Sequence, residues 1–211
     1  MSTKNYISAI CSIKNGKVFV NNTLDYTFTE SNEPIDFFKS VYKHYQLNYP
    51  KFYKMDSLSK LAFIASEILL KTQAISKEHT PENIAIIIAN SASSLEIDTE
   101  HQQTINDKAN YFPSPANFVY TLPNILIGEI AIRNKIKGEN TFFIFDKFDT
   151  LFMSSYINSL LNSKKASICV AGWVDFYENH YEANLYLVEN SEKGLKSKHT
   201  AEELNKRITN N

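Results

Sequence analysis

The sequence predicts an α/β fold: helices packed on both faces of a mixed central sheet, an α/β/α sandwich. Two observations predict it. The run NIAIIIANS at 83–91 is apolar without alternation, the pattern of a strand covered on both sides. From 56 to 189, segments of helix and strand character follow one another, as they do where helices flank a sheet. A chain of 211 residues can enclose one substantial core. The reading is one domain over 1–190 and a polar tail over 191–211.

The elements follow in order. YISAICSI (6–13) is rich in β-branched residues and stops at Asn15-Gly16, a turn pair, after which KVFVNN and LDYTFT form hairpin strands. PIDFFKSVYKHYQ (34–46) begins with a proline suited to a first helical turn and spaces Phe37, Phe38, Val41, Tyr42 and Tyr45 helically. His44 beside them reads as packing and surface rather than a ligand. DSLSKLAFIASEILLKTQ lays Leu58, Leu61, Ala62, Ala65, Ile68 and Leu69 along one stripe, with Asp56 or Ser57 as cap. TEHQQTINDKAN is a short surface helix, and its His101 has no Cys or second His near it to build a metal site.

SPANFVYTLPNILIGEIAIRNKIKG (114–138) reads as a loop, then Pro123 in a first helical turn, then a helix apolar on nearly all sides that ends near Gly138. Gly128 inside that helix costs about 1 kcal/mol against alanine, so close approach of another backbone is expected there. TFFIFDKF is a strand and TLFMSSYINSLLNS a helix with Asp149 as N-cap. ASICVAGWVDF and ANLYLVEN are strands joined by a surface loop holding Asp175, Glu178, His180 and Glu182. From Ser191 the chain is polar and Lys-rich with little to bury, and a mobile tail or loosely held helix is expected.

Composition narrows the function classes. Hydrophobic residues at 43%, charged residues at 21% and a net charge of -1 give no electrostatic pull toward nucleic acid or anionic membrane. Cys11 and Cys169 sit inside apolar runs as small buried hydrophobes, which suits a reducing cytosol; no metal site or cofactor is expected. The first residues lack the basic start and apolar core of a signal peptide, and PNILIGEIAI is interrupted by Glu129, so a cytoplasmic protein without membrane insertion is expected. Abundant Lys, Asn and Ile point to an AT-rich bacterial genome.

Across 56–189 the order of segments resembles the amino-terminal half of a β-ketoacyl synthase, a thiolase-like condensing enzyme. DSLSKLAFIASEILL, NIAIIIANS, TLPNILIGEIAIRNKIKGEN, TFFIF, SICVAGW and LYLVE stand in the family's order, with Asn124, Gly128, Gly138, Asn140 and Gly172 at motif positions. The resemblance implies half of a thiolase-like sandwich. Two departures accompany it. The family's nucleophilic cysteine falls at Lys147, within one residue, and bulky FIFDKFD replaces a small-residue turn. The family's second half, which carries two catalytic histidines, has no counterpart in a chain ending at Asn211.

A condensing nucleophile uses a thiolate stabilised at the positive end of a helix, a position that disfavours a protonated lysine. Asp146 and Asp149 beside Lys147 favour the charged ammonium further. The resemblance therefore implies a noncatalytic subunit related to chain-length factors, like the small synthase-like proteins of aryl-polyene and flexirubin-type assembly, within polyketide or fatty-acid-type elongation. Its partner would be a full-length ketosynthase, with self-association as the fallback and acyl carrier protein as a further contact of the assembly. Thr141, Phe142, Phe143, Ile144 and Phe145 would form the pairing strand, and Asn117, Phe118 and Thr121 would line the partner's acyl pocket from a loop. Half of a two-lobed fold is expected to expose a large apolar face. The competing reading is an enzyme that uses Lys147 or the Asp175–Glu182 loop.

Overall fold

The computed structural model describes residues 4–73, 75–109 and 111–209. Among the described residues eight strands form one mixed sheet in the order β3-β2-β1-β7-β6-β4-β5, with β8 added beside β1. β1 (Tyr6–Lys14), β2 (Lys17–Val20) and β3 (Thr23–Thr27) form an antiparallel meander. Its turns run through Asn15-Gly16 and Asn21-Asn22, all four residues at positive φ, which matches the right-handed twist of the flanking strands. β4 (Ile84–Asn90) lies between β5 (Asn140–Ile144) and β6 (Ile168–Tyr177), parallel to both. β7 (His180–Glu189) runs antiparallel between β6 and β1.

Period-2 alternation splits the strands between two cores. On one face Cys11, Ile13, Ile86, Ile88, Val170, Leu185 and Leu187 pack under α1 (Pro34–His44), α2 (Ser57–Lys71) and, past the shorter α3 (Ile75–Glu78), α4 (Leu95–Gln103) and α5 (Pro115–Tyr120), α6 (Ile125–Asn134). On the other, Ile7, Ile10, Ile87, Cys169, Tyr186 and Val188 pack under α7 (Thr150–Asn162). Every residue of β4 is buried, as its unbroken apolar run requires. Both cysteines are buried and unpaired, and burial pushes both thiols far above their ordinary range. Asp56 caps α2 by accepting from Ser59 N at 3.1 Å, and Asp149 caps α7 by accepting from Phe152 N at 2.8 Å. Among the described residues no helix is long and apolar enough to cross a membrane.

Four expectations are corrected. Close backbone approach is at Gly138, not Gly128: a Cβ at Gly138 would lie 2.3 Å from Ile84 O, whereas one at Gly128 would meet nothing within 4 Å. The 114–138 segment is two helices, α5 (Pro115–Tyr120) and α6, with Pro123 ahead of the second and a left-handed Lys135 closing it before Gly138. Its outer side is not covered, since Ile132 is exposed. The Asp175–Glu182 stretch is not a surface loop but the end of the β6–β7 hairpin, turned by Glu178-Asn179 alone, both at positive φ.

The fourth concerns the carboxyl-terminal stretch, whose described residues 191–209 fold back onto the sheet. Ser197 and Lys198 form β8 against Tyr6 and Ile7, and α8 (Ala201–Leu204) runs into a π-helical turn, Asn205–Thr209. Leu204 and Ile208 are buried in the α7-side core. Burial of each contributes about 1.5–3 kcal/mol, which a stretch with few apolar residues needs in order to stay down. This strap covers part of the α7-side core. His199 fastens it: its backbone N–H donates to Asn5 O at 2.9 Å, its carbonyl accepts from Asn158 Nδ2, and its Nδ1 lies 2.9 Å from Asn158 Oδ1. Asn5 Nδ2 donates to that same Oδ1, so His199 Nδ1 is the donor and Nε2 is left without a partner among the described residues.

Burial alone pulls the His199 pKa down to about 3. An imidazole titrating lower in the folded chain than its unfolded value of about 6.5 contributes its full share of stability above about pH 6.5 and loses it as pH falls toward 3. Between pH 7 and pH 5 the loss is about 2 kcal/mol. Urea midpoints at the two pH values should show it in the native chain and not in His199→Gln. Gly128→Ala should raise stability by about 0.5–1 kcal/mol in the same measurement, because helix propensity improves and no atom obstructs the methyl group.

Candidate functional site at the strand switch point

β4 and β5 are parallel neighbours whose onward connections take opposite faces, toward α6 after β4 and into α7 after β5. Ligand crevices in such sheets open at the carboxyl ends of the strands where the connections diverge. Here that place is formed by Ser91–Ser94 after β4 and by Asp146–Asp149 after β5. Asn90, fully buried at the end of β4, shapes the first segment by bonding Ser93 N and Ser93 O and accepting from Phe145 N.

Lys147 stands in the second segment as an exposed side chain with no ion pair among the described residues. It borders a crevice of about 660 Å³ with Ile144, Asp149, Leu151 and Asn205, and a smaller one of about 300 Å³ with Trp173 and Ile208. The α7 amino end just beyond is already capped by Asp149. The Lys147 side chain is exposed, whereas amine nucleophiles are activated by desolvation. Phe148 is turned inward, its ring 6.0 Å from Trp173 and 6.5 Å from Tyr186, so the bulk of FIFDKFD fills space at this turn.

The other sequence-derived positions fall in two groups. Thr141–Phe145 lie in and just after β5, at the sheet edge. Ile86 N bonds Glu139 O and Phe145 N bonds Asn90 O, so odd-numbered residues face β4 and the backbone groups of Asn140, Phe142 and Ile144 point to the free edge. Phe143 stacks with Phe145 and meets Phe152 and Tyr156 of α7, whereas Ile144 is exposed. Asn117 and Phe118 are in α5 and Thr121 is its C-cap, not loop residues as expected. Asn124 precedes α6 without a side-chain capping bond. Gly172, at φ 148°, sits where a Cβ would lie 2.0 Å from Asn184 O.

α5 carries exposed apolar side chains with its neighbours: Phe112, Phe118, Val119 and Leu122. It is pinned by a group that sequence reading left unassigned. Glu129 of α6, 3% exposed, takes Lys51 Nζ at 2.7 Å and the Tyr120 hydroxyl at 3.2 Å. Burial, with the Glu129 charge beside it, pushes the Tyr120 phenol well up. The signal was a lone carboxylate on the apolar face of a helix, which needs a cation from elsewhere; that Lys51 supplies it is visible only in three dimensions. Among the described residues no group of His, Cys, Asp and Glu is placed to hold a metal ion.

No protein-family model matches the sequence, and no curated protein is similar to it by sequence. The fold is nonetheless shared with solved structures. "The ishigamide ketosynthase/chain length factor" aligns with a TM-score of 0.67 at 17% identity over 91% of this chain and 63% of that one. The ketosynthase ApeO in complex with its chain length factor ApeC, from Xenorhabdus doucetiae, gives 0.58 at 15% over 89% and 79%. A β-ketoacyl synthase from Burkholderia phymatum gives 0.61 at 10% over 90% and 60%. The chain thus spans 63% of the first of these and shares the mixed-sheet fold of these ketosynthase and chain length factor structures.

Replacing Glu129 by Ala should cost about 1–3 kcal/mol in urea unfolding, since a buried hydroxyl loses its acceptor and Lys51 its counter-charge. Amide exchange in α5 should quicken as well. Glu129→Gln keeps an acceptor for Tyr120 and should cost less than the Ala variant.

Proposed function

We propose that this chain is a noncatalytic, ketosynthase-like subunit that pairs with an active ketosynthase in polyketide, aryl-polyene or fatty-acid-type chain elongation. The observation that carries it is the free edge of β5, with the outward backbone of Asn140, Phe142 and Ile144 beside exposed apolar residues. Such an edge is a template for another strand. Two of the solved structures that share this fold are described as ketosynthases with a chain length factor. Another is an acyl-carrier protein in complex with its ketosynthase.

In this reading the partner supplies the nucleophile, and Lys147 marks a turn refilled with bulk and charge. Thr141–Phe145 form the pairing strand, while α5 brings Asn117, Phe118 and Thr121 toward the partner's acyl channel. Acyl carrier protein contacts the assembly through the ketosynthase, in a bacterial cytoplasm.

The test is co-expression with the cysteine-containing ketosynthase encoded nearest to this chain. Stable co-purification is expected, with at least a tenfold loss on Ile144→Asp, which places a charge on the free edge while leaving the α7 contacts of Phe143 and Phe145 intact. A dispersed monomer that captures no ketosynthase, or a complex indifferent to Ile144→Asp, would count against the reading.

A further inference from the structure

Asn15-Gly16 is the one place in the sequence where an asparagine is followed by glycine. The pair makes up the whole turn between β1 and β2, with Lys14 opposite Lys17 and the turn residues at φ 49° and 70°. Asn-Gly suits that conformation, but it also sets an electrophile beside a nucleophile. The Asn15 side-chain amide carbon can be attacked by the Gly16 backbone nitrogen, and Gly16 has no side chain to hinder the approach. Asn15 is exposed, borders a crevice of about 420 Å³ and makes no side-chain hydrogen bond among the described residues. Nothing therefore anchors the amide away from Gly16.

The restraint lies on the nucleophile. Gly16 N–H donates to the Tyr181 hydroxyl oxygen at 2.8 Å, while Gly16 O accepts from Phe28 N at 2.9 Å. The phenol ring is fixed by Phe37 and Phe38, whose ring centroids are 5.7 and 5.2 Å away. Burial pushes the Tyr181 phenol up, so its oxygen is a neutral acceptor and no base for the Gly16 proton. The amide nitrogen attacks only once that proton has gone, so the bond must open first. Tyr181 belongs to β7, and the restraint exists only in the folded sheet.

We propose that Asn15 is a site of spontaneous covalent modification, deamidation through a cyclic imide, which Tyr181 holds in check while the β1–β2 turn stays docked on β7. The deprotonated Gly16 nitrogen forms a bond to Asn15 Cγ, the bond from Cγ to the side-chain nitrogen breaks, and that nitrogen takes up a proton and leaves as ammonia. Water then opens the ring at either carbonyl, leaving aspartate or isoaspartate. Isoaspartate adds a methylene to the backbone of a two-residue turn, which displaces the Lys14–Lys17 register and the Phe28–Gly16 bond. Modification thus loosens the β2–β3 margin, at the far end of the sheet from β5. The site is independent of pairing with a ketosynthase.

The test is prolonged incubation of the full chain in mildly alkaline buffer, with peptide mass spectrometry and enzymatic methylation of isoaspartate as readouts. Asn179 is the internal control, because it too sits at positive φ in a two-residue turn but precedes His180. In urea above the unfolding midpoint, Asn15 should convert faster than Asn179 and at least tenfold faster than in the folded chain. Tyr181→Phe, which keeps the ring between Phe37 and Phe38, should speed Asn15 conversion in the folded chain about three- to tenfold, the effect of losing one hydrogen bond of ordinary net strength. Asn179 should not respond to that substitution. Asn15 converting no faster than Asn179 in urea would overturn the site. Equal Asn15 rates in the native chain and a folded Tyr181→Phe would overturn the restraint; should that variant not fold, equal rates for the native chain with and without urea would do the same.

Discussion

The burial of β4 on both faces is the constraint from which the rest of the architecture follows. A strand with no polar side can exist only where helices cover each face, and its backbone must be paired along both edges. β5 and β6 satisfy the edges in parallel, which obliges the chain to cross over between them, once through α6 and once through α7. Those two crossovers lie on opposite faces, and the divergence opens the crevices beside Lys147. The candidate site is thus a consequence of seven buried residues rather than of the groups that line it.

Two glycines let the layers close to that geometry. At Gly138 the chain passes against the carbonyls of Glu82 and Ile84 just before entering β5, and at Gly172 the β6 backbone presses on Asn184 of β7. Side chains at either place would force apart strands whose pairing defines the sheet. Gly128 has no such neighbour, so its presence in α6 has no explanation within the chain itself.

Polar groups decide how the covering elements are held. α5, short and externally apolar, stays in place because Tyr120 reaches the Glu129 carboxylate, itself neutralised by Lys51. The strap is held by a different device, asparagines from the amino-terminal segment and α7 arranged around His199. In both cases a few directional bonds fix segments that propensity alone would leave loose. The β5 edge, like that of β3 at the opposite margin, is left unpaired by the other described strands, and of the two it is the β5 edge that lies beside the turn of Lys147.

Local pattern determined a large part of this protein. The unbroken apolar run of β4, the helical stripe of α2, the Asn-Gly turn and the two aspartate caps each follow from chemistry within a few residues, and each was legible in the sequence. The order of segments that gives the ketosynthase-like fold was legible too, although identity to the solved structures that share it is 17% or less. Tertiary structure alone decided what joins residues far apart in the chain. It placed Lys51 on Glu129, extended the Asp175–Glu182 stretch as paired strands, and laid the polar carboxyl-terminal segment over the α7-side core. It also moved the tight glycine contact from position 128 to 138. The physical reason is common to all four: periodicity records which side of an element is apolar, but the partner that meets that side is chosen by packing across the whole fold, where one charge or two buried aliphatic side chains outweigh local composition.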